Sequence, residues 1–326
     1  MDSVTEARVV PEAVDEEALL RSLARVRGGV LDANVGLFGP TTVFWEVNRH
    51  TLVYFLGALQ SVMMHLVHPW IATAVAEHSK IVSDPRRRAQ LTYTFLWSFI
   101  YGDLDLVCRR AIGLYRMHGR VLGRLAEDAG RHREGDPYAA NEVRALLWVH
   151  VTAFVGRVRF YELLVRPLTQ EEKDRFVREA MLYGFCFGIP DSVHPQTWTD
   201  VEAYLARMVA SDELGRTAAG VRIRRVLALR VPRPFRAPLF ELVDGTLPDR
   251  VRAALDVPVP TERQRRWARS VGRVLGRLQR RLPASLAYVP AYHEATRRIA
   301  GERGADATTR LLNRLVLGVP TLVSRA

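Results

Sequence analysis

Apolar residues recur at helical spacing along most of the chain, and strand-like alternation is scarce. That periodicity limits the chain to helix-on-helix packing more firmly than any single motif does. Helix starts are also written in. Ser83-Asp84-Pro85 offers a capping side chain and then Pro at the first helical position, and Asp136-Pro137 repeats the device. Thr169-Gln-Glu-Glu172, Thr199-Asp-Val-Glu202 and Thr261-Glu-Arg-Gln264 fit the capping box, in which two side chains satisfy each other's orphan amides. The spacing predicts helices near 41–60, 61–79, 86–101, 103–130, 138–166, 170–187, 199–210, 214–228, 248–255, 262–281 and 291–315. Stops fall at Gly188-Ile-Pro190 and at 231–238, where Pro232, Pro234 and Pro238 predict a surface loop anchored by Phe235, Leu239 and Phe240. The expected fold is all-α, a single multi-helix bundle over 35–326 that follows an N-terminal extension, 1–34. Its chemistry-bearing motifs lie in 35–210, and 211–326 is a basic helical portion.

Charge narrows the partners less than it first suggests. The net charge is +12, but of 47 basic residues only Lys80 and Lys173 are lysines. Such a bias fits a nucleic-acid partner, but a GC-rich coding sequence is the favoured reading, because arginine content alone locates no patch. The 262–281 helix carries a basic stripe (Arg266, Arg269, Arg273, Arg277 and Arg280) beside an apolar one (Trp267, Val271, Val274, Leu275 and Leu278). The plain expectation is a packed apolar face and a solvated basic one, with peripheral contact to an anionic membrane as the alternative. Two cysteines, Cys108 and Cys186, make no disulfide framework, and residues 1–17 are acidic and mixed, so a cytoplasmic location is expected. The apolar stretch 52–75 contains Gln60, His65, His68 and Pro69 and reads as a buried helix pair, not a membrane span.

Seven of nine histidines fall in the first 150 residues. There is no His-Glu-x-x-His, and no Glu stands three residues before any His, which disfavours zincin and di-iron carboxylate sites. His65-x-x-His68 would put two imidazoles on one helical face, too few ligands for a firm metal site. Haem asks for less: one axial imidazole, a deep apolar slot and basic groups for the propionates. His118 aligns with Ala111, Leu114, Val121, Leu122 and Leu125, with Arg116 and Arg120 beside it and Gly119 and Gly123 reducing bulk. Arg88 and Thr92 share one face of the preceding helix, continued by Phe95 and Phe99. The plain alternative is a structural His118, a solvated Arg88 and a core Thr92. Cys186 within Gly184-Phe-Cys-Phe-Gly188 is a second conceivable iron ligand, although a buried cysteine is more often a small hydrophobe.

An ordered set of motifs adds a resemblance. It comprises Leu37-Phe-Gly-Pro40 with Trp45, His68-Pro-Trp-Ile-Ala-Thr-Ala-Val-Ala-Glu-His-Ser79, Asp84-Pro-Arg-Arg-Arg88 with Thr92, and Tyr101-Gly102. Met117-His-Gly-Arg-Val121, Gly135-Asp-Pro-Tyr-Ala-Ala-Asn141, Leu147-Trp-Val-His-Val-Thr152 and Gly188-Ile-Pro190 follow. Over 35–210 the chain resembles the oxygenase family that includes latex-clearing protein (rubber oxygenase) and the side-chain-cleaving oxygenase of mycophenolic acid biosynthesis. The resemblance implies a helical fold around one haem b and dioxygen-dependent cleavage of an isoprenoid double bond. It implies His118 as the axial ligand, with Arg88 and Thr92 at the haem side; Arg120, flanking His118 in the sequence, is expected as a further cofactor-binding cation. His68 is expected at the distal side as base or hydrogen-bond partner, and His150 as a pocket residue or a structural donor. Where rubber-cleaving members place a lysine before this threonine, Leu91 stands here, which argues against rubber, as does the lack of an export signal. The first expectation is thus a haem b oxygenase of a small apolar unsaturated substrate, terpenoid in type, with no nucleic-acid partner. The alternatives are a non-catalytic haem carrier or sensor, and a basic helical protein that binds membrane surfaces or nucleic acid.

Overall fold

The computed structural model describes residues 12–302 and 304–323. Residues 1–11, on which most of the leader-sequence reading rests, lie outside the described residues. The described chain is built of helices α1 (Glu16–Gly29), α2 (Val43–Arg49), α3 (Thr51–His65), α4 (Pro69–His78), α5 (Pro85–Tyr101) and α6 (Leu104–His118). A hairpin of β1 (Leu122–Arg124) and β2 (Pro137–Ala139) interrupts them. Then come α7 (Val143–Leu164), α8 (Gln170–Phe185), α9 (Trp198–Ala210), α10 (Ala218–Arg230), α11 (Arg233–Asp244) and α12 (Asp249–Ala254). The last helices are α13 (Glu262–Arg281), α14 (Ala284–Ala287), α15 (Pro290–Ile299) and α16 (Ala307–Leu317). The all-α bundle expected from periodicity is what forms.

Its axis is the antiparallel pair α3–α7. Trp148 Nε1 donates to the Met64 carbonyl at 3.1 Å and Ser61 Oγ to the Thr152 carbonyl at 3.0 Å, so rising numbers on α3 meet falling numbers on α7. The helices touch backbone to backbone. A Cβ on Gly57 would sit 2.9 Å from both N and Cα of Arg157, and one on Gly156 would meet the Gly57 carbonyl at 2.7 Å. The described part of the N-terminal segment joins this core, since Leu19, Leu23 and Val26 of α1 are buried. Among the described residues no single helix is long and apolar enough to cross a membrane. Only α3 and α4 together reach that length and composition, and they are bent by 106°.

Several boundaries differ from the sequence reading for local reasons. Asp84 caps α5 as expected, accepting from Arg87 N at 3.0 Å, but Asp136-Pro137 enters β2 instead of starting a helix. Glu142 caps α7 instead, its carboxylate accepting from Ala145 N at 2.6 Å. The box assigned to Thr199 and Glu202 forms two residues earlier, from Thr197 and Asp200, because buried Trp198 begins the helix and its N donates to Asp174 at 2.8 Å. The helix expected over 103–130 ends at His118, where Gly119 closes the last turn. The expected 291–315 helix divides around Gly301 and Gly304, both at positive φ. The Pro-rich 231–238 segment is mostly helix: Pro232 and Pro234 occupy the start of α11, where no amide is needed, and Phe235 is exposed instead of anchoring.

Helix α13 departs from the usual amphipathic arrangement. Its inner face is Gly272, Gly276 and Gln279, so close to α7 that a Cβ on Gly276 would be 3.1 Å from the Leu164 carbonyl. That approach rotates the expected apolar stripe outward. Val271 and Leu275 stay half-buried, but Trp267, Val274 and Leu278 are 50%, 59% and 44% exposed.

Candidate active site

A cavity of about 440 Å³ lies between α3, α4, α5, α6 and α7, with β2 at one side. Its walls are apolar, with Phe55, Leu59, Val62, Phe95, Leu96 and Leu146 among the lining residues. The polar side chains on it are few: Arg88, Thr92, His118, His65, Tyr138, Tyr93, Ser61 and Arg157. No aspartate or glutamate lines it. The cavity therefore presents two guanidiniums and no compensating carboxylate.

His118 is the last residue of α6 and is half-buried, its open side being the cavity. Burial and then the Arg88 guanidinium hold its imidazole down to about 4, against a hydrogen bond with Asn141. At neutral pH it is uncharged and keeps a lone pair, the form that binds a metal. Arg88 is also pushed down by burial alone. Its Nε donates to Ser79 Oγ at 2.9 Å and its Nη1 donates to Thr92 Oγ1. The Thr92 hydroxyl in turn donates to the Arg88 carbonyl at 2.8 Å, so its proton is already committed. Thr92 thus orients Arg88 and has no free donor for a bound ligand.

The structure brings Arg88, Thr92 and His118 to one cavity and leaves the other expected site residues outside it. Arg120 is exposed and is not among the lining residues. His68 is buried behind Trp70, its ring 5.9 Å from the indole and 6.0 Å from His132, which lies 3.3 Å from Glu213. Burial pushes His68 down to about 3. His150 packs between Phe154, Tyr183 and His194, with ring centroids 5.2, 5.9 and 5.3 Å away. Cys186 is buried elsewhere with its thiol pushed well up by burial, which opposes a thiolate ligand. Leu91 is 42% exposed and also off the cavity. Gly123 opens no space beside His118, because the Tyr138 ring lies over it.

His65 and Arg157 are the residues that the sequence reading missed. His65 was paired with His68, but α3 ends at His65 and the chain turns through 106° into α4, so the two imidazoles part. His65 Nε2 faces the Val149 carbonyl at 3.3 Å, which makes Nε2 the protonated nitrogen and Nδ1 the bare one. On α7 the lining positions Ala145, Leu146, Val149, Ala153 and Arg157 form one helical stripe. A charge at the end of an otherwise apolar stripe was the available signal.

These depressed imidazoles predict a pH effect on stability. The largest cause is burial in each case, which takes His65 and His118 to about 4 and His68 to about 3, from an ordinary 6.5. The unfolded chain takes up these protons near pH 6.5 and the folded one resists until about pH 4. Stability is therefore complete above pH 6.5 and falls as pH drops toward 4. Urea titrations at pH 7.5 and pH 5 should show a lower midpoint at pH 5, and an equal or higher one would contradict this electrostatic picture.

The helical bundle thus surrounds an apolar, carboxylate-free cavity with a neutral histidine and two arginines on its lining. The family model described as "ER-bound oxygenase mpaB/B'/Rubber oxygenase, catalytic domain" matches residues 45–281. The chain belongs to that family, as its motifs indicated. Every residue lining the cavity falls within the matched segment, and the match extends past the motif-bearing region into α13. No curated protein and no solved structure matches the chain. The family is one of oxygenases, so its chemistry is that of an oxidoreductase; its description mentions ER-bound members.

Proposed function

We propose that the chain is a haem b-dependent oxygenase acting with dioxygen on a small, apolar, unsaturated substrate. One observation carries this reading: the cavity joins a neutral, cavity-facing His118 to the half-buried Arg88, with no acid on its lining. A cation buried without a partner is costly, and the propionates of haem would neutralise it. His118 would hold the iron and Arg88 a propionate, with Thr92 and Ser79 fixing the guanidinium. Bound haem would supply an iron centre that activates dioxygen. Asn141, which also donates to the Tyr115 carbonyl at 3.2 Å, orients the His118 ring. The aromatic and aliphatic walls exclude water and select apolar substrates. Oxygen uptake by haem-loaded protein on addition of an unsaturated terpenoid tests the enzyme against the carrier or sensor alternative; uptake no faster than with the saturated analogue would sink the oxygenase.

A peripheral membrane contact through α13 is a second part of the reading, favoured by the exposure of Trp267, Val274 and Leu278. Eight arginines on this helix face a single acid, Glu262, which is shared by Arg265, Arg266 and Arg269. Cationic side chains beside an exposed indole suit an anionic lipid surface, whereas nucleic acid would gain little from Val274 and Leu278. Vesicles containing phosphatidylglycerol should co-sediment with the protein and blue-shift its tryptophan emission, less so for Trp267→Ser. Binding to DNA without binding to such vesicles would overturn this part.

A further inference from the structure

Arg157 is the cavity residue to which the haem reading gives no task. It is 2% exposed on α7 and lines the cavity. Its Nη1 donates to Asn48 Oδ1 at 2.8 Å, its guanidinium lies 4.8 Å from the centre of the Tyr54 ring, and its Nε has no partner. No carboxylate among the described residues pairs with it. The single acid of α2, Glu46, is taken up by Arg49 at 2.7 Å, by His50 at 3.2 Å and by Tyr161 at 3.2 Å. The Tyr54 hydroxyl beside it is likewise buried without a partner. Its neighbours, the Asn48 amide, the Tyr54 ring and the Tyr183 side chain, are all neutral, so desolvating the guanidinium leaves most of its charge uncompensated.

Position separates Arg157 from the His118 end. Asn141, the partner of His118, stands two residues before α7 begins, whereas Arg157 is fourteen residues further along that helix than Val143. At the helical rise that is about 20 Å. The stripe between them, Ala145, Leu146, Val149 and Ala153, is apolar. The cavity thus runs from a histidine and Arg88 at one end, past greasy walls, to a second buried cation at the other.

We propose that Arg157 receives the carboxylate of an apolar unsaturated acid, which lies along the cavity with its chain directed toward His118. The substrate class is therefore an acid, not a hydrocarbon. The identity of the ligand as a substrate rests on the oxygenase reading; the carboxylate contact does not.

Calorimetric titration of the full-length, haem-loaded protein with geranic acid and with geraniol, which share one carbon chain, tests this at pH 7.5. Charge-assisted hydrogen bonds predict that the acid binds about 10–100-fold more tightly than the alcohol. Arg157→Met should reduce that preference to about twofold or less while the Soret band of the haem is retained. Replacing a buried charge by an apolar side chain of similar length commonly leaves a fold intact. If that variant does not fold, the acid-to-alcohol ratio in the unaltered protein still decides. Equal affinity for acid and alcohol overturns the proposal, as does a preference that survives in Arg157→Met. Loss of haem from Arg157→Met without any acid preference in the parent also overturns it, assigning Arg157 to a haem propionate. A protein that takes up no haem yet prefers the acid through Arg157 would refute the oxygenase reading and leave this site standing.

Discussion

His118→Ala should give a protein that folds but no longer holds haem. The side chain terminates α6 and faces the cavity, and its removal leaves no buried partner stranded beyond Asn141, which retains the Tyr115 carbonyl. The fold should therefore survive, as read by far-ultraviolet circular dichroism. The cofactor should not. Removing even a residue that orients a metal ligand costs about 10–100-fold in affinity, and losing the ligand itself costs more. His65 also lines the cavity with a bare Nδ1, so His65→Ala is the necessary comparison. It should leave the Soret absorbance of the purified protein close to that of the parent. If His65→Ala loses haem and His118→Ala keeps it, the axial assignment is wrong.

Gly57→Val should be strongly destabilising. The added Cβ would sit 2.9 Å from the backbone N and Cα of Arg157, atoms that cannot rotate away. The helices must part, at a cost of about 3 kcal/mol. Helix propensity alone predicts the opposite sign, since glycine is the worse helix former. Gly113 is the control. It is exposed in the middle of α6 with nothing within 4 Å of its would-be Cβ, so Gly113→Ala should stabilise by about 1 kcal/mol. Thermal unfolding of both variants checks this, and a Gly57→Val protein as stable as the parent would refute the close crossing. Because the displaced backbone belongs to Arg157, the same substitution should also weaken acid binding.

Local chemistry made much of the bundle readable before any coordinates. The Asp84-Pro85 start and the boxes Thr169–Glu172 and Thr261–Gln264 need only neighbours a few residues away, and all three form. Arg88 and Thr92 were paired by the four-residue helical repeat, and they do bond. What failed depended on tertiary geometry. His65 and His68 share a face only if one helix carries both, and the turn before Pro69 separates them. Val121, Leu122 and Leu125 fit a helical stripe and a hairpin about equally, and the chain leaves α6 at His118 and forms the hairpin. Trp267 looked like a packed residue because the sequence does not say that Gly272 and Gly276 are the face that meets α7. Arg157 looked like any helical arginine until its surroundings proved to contain no acid.

The central claim is that the cavity holds haem b on His118. The ultraviolet–visible spectrum of the full-length protein after haem reconstitution and gel filtration, read with its iron content, tests this most directly. The account predicts a Soret band with iron equimolar to chain, both lost in His118→Ala. A colourless, iron-free protein after reconstitution would contradict it.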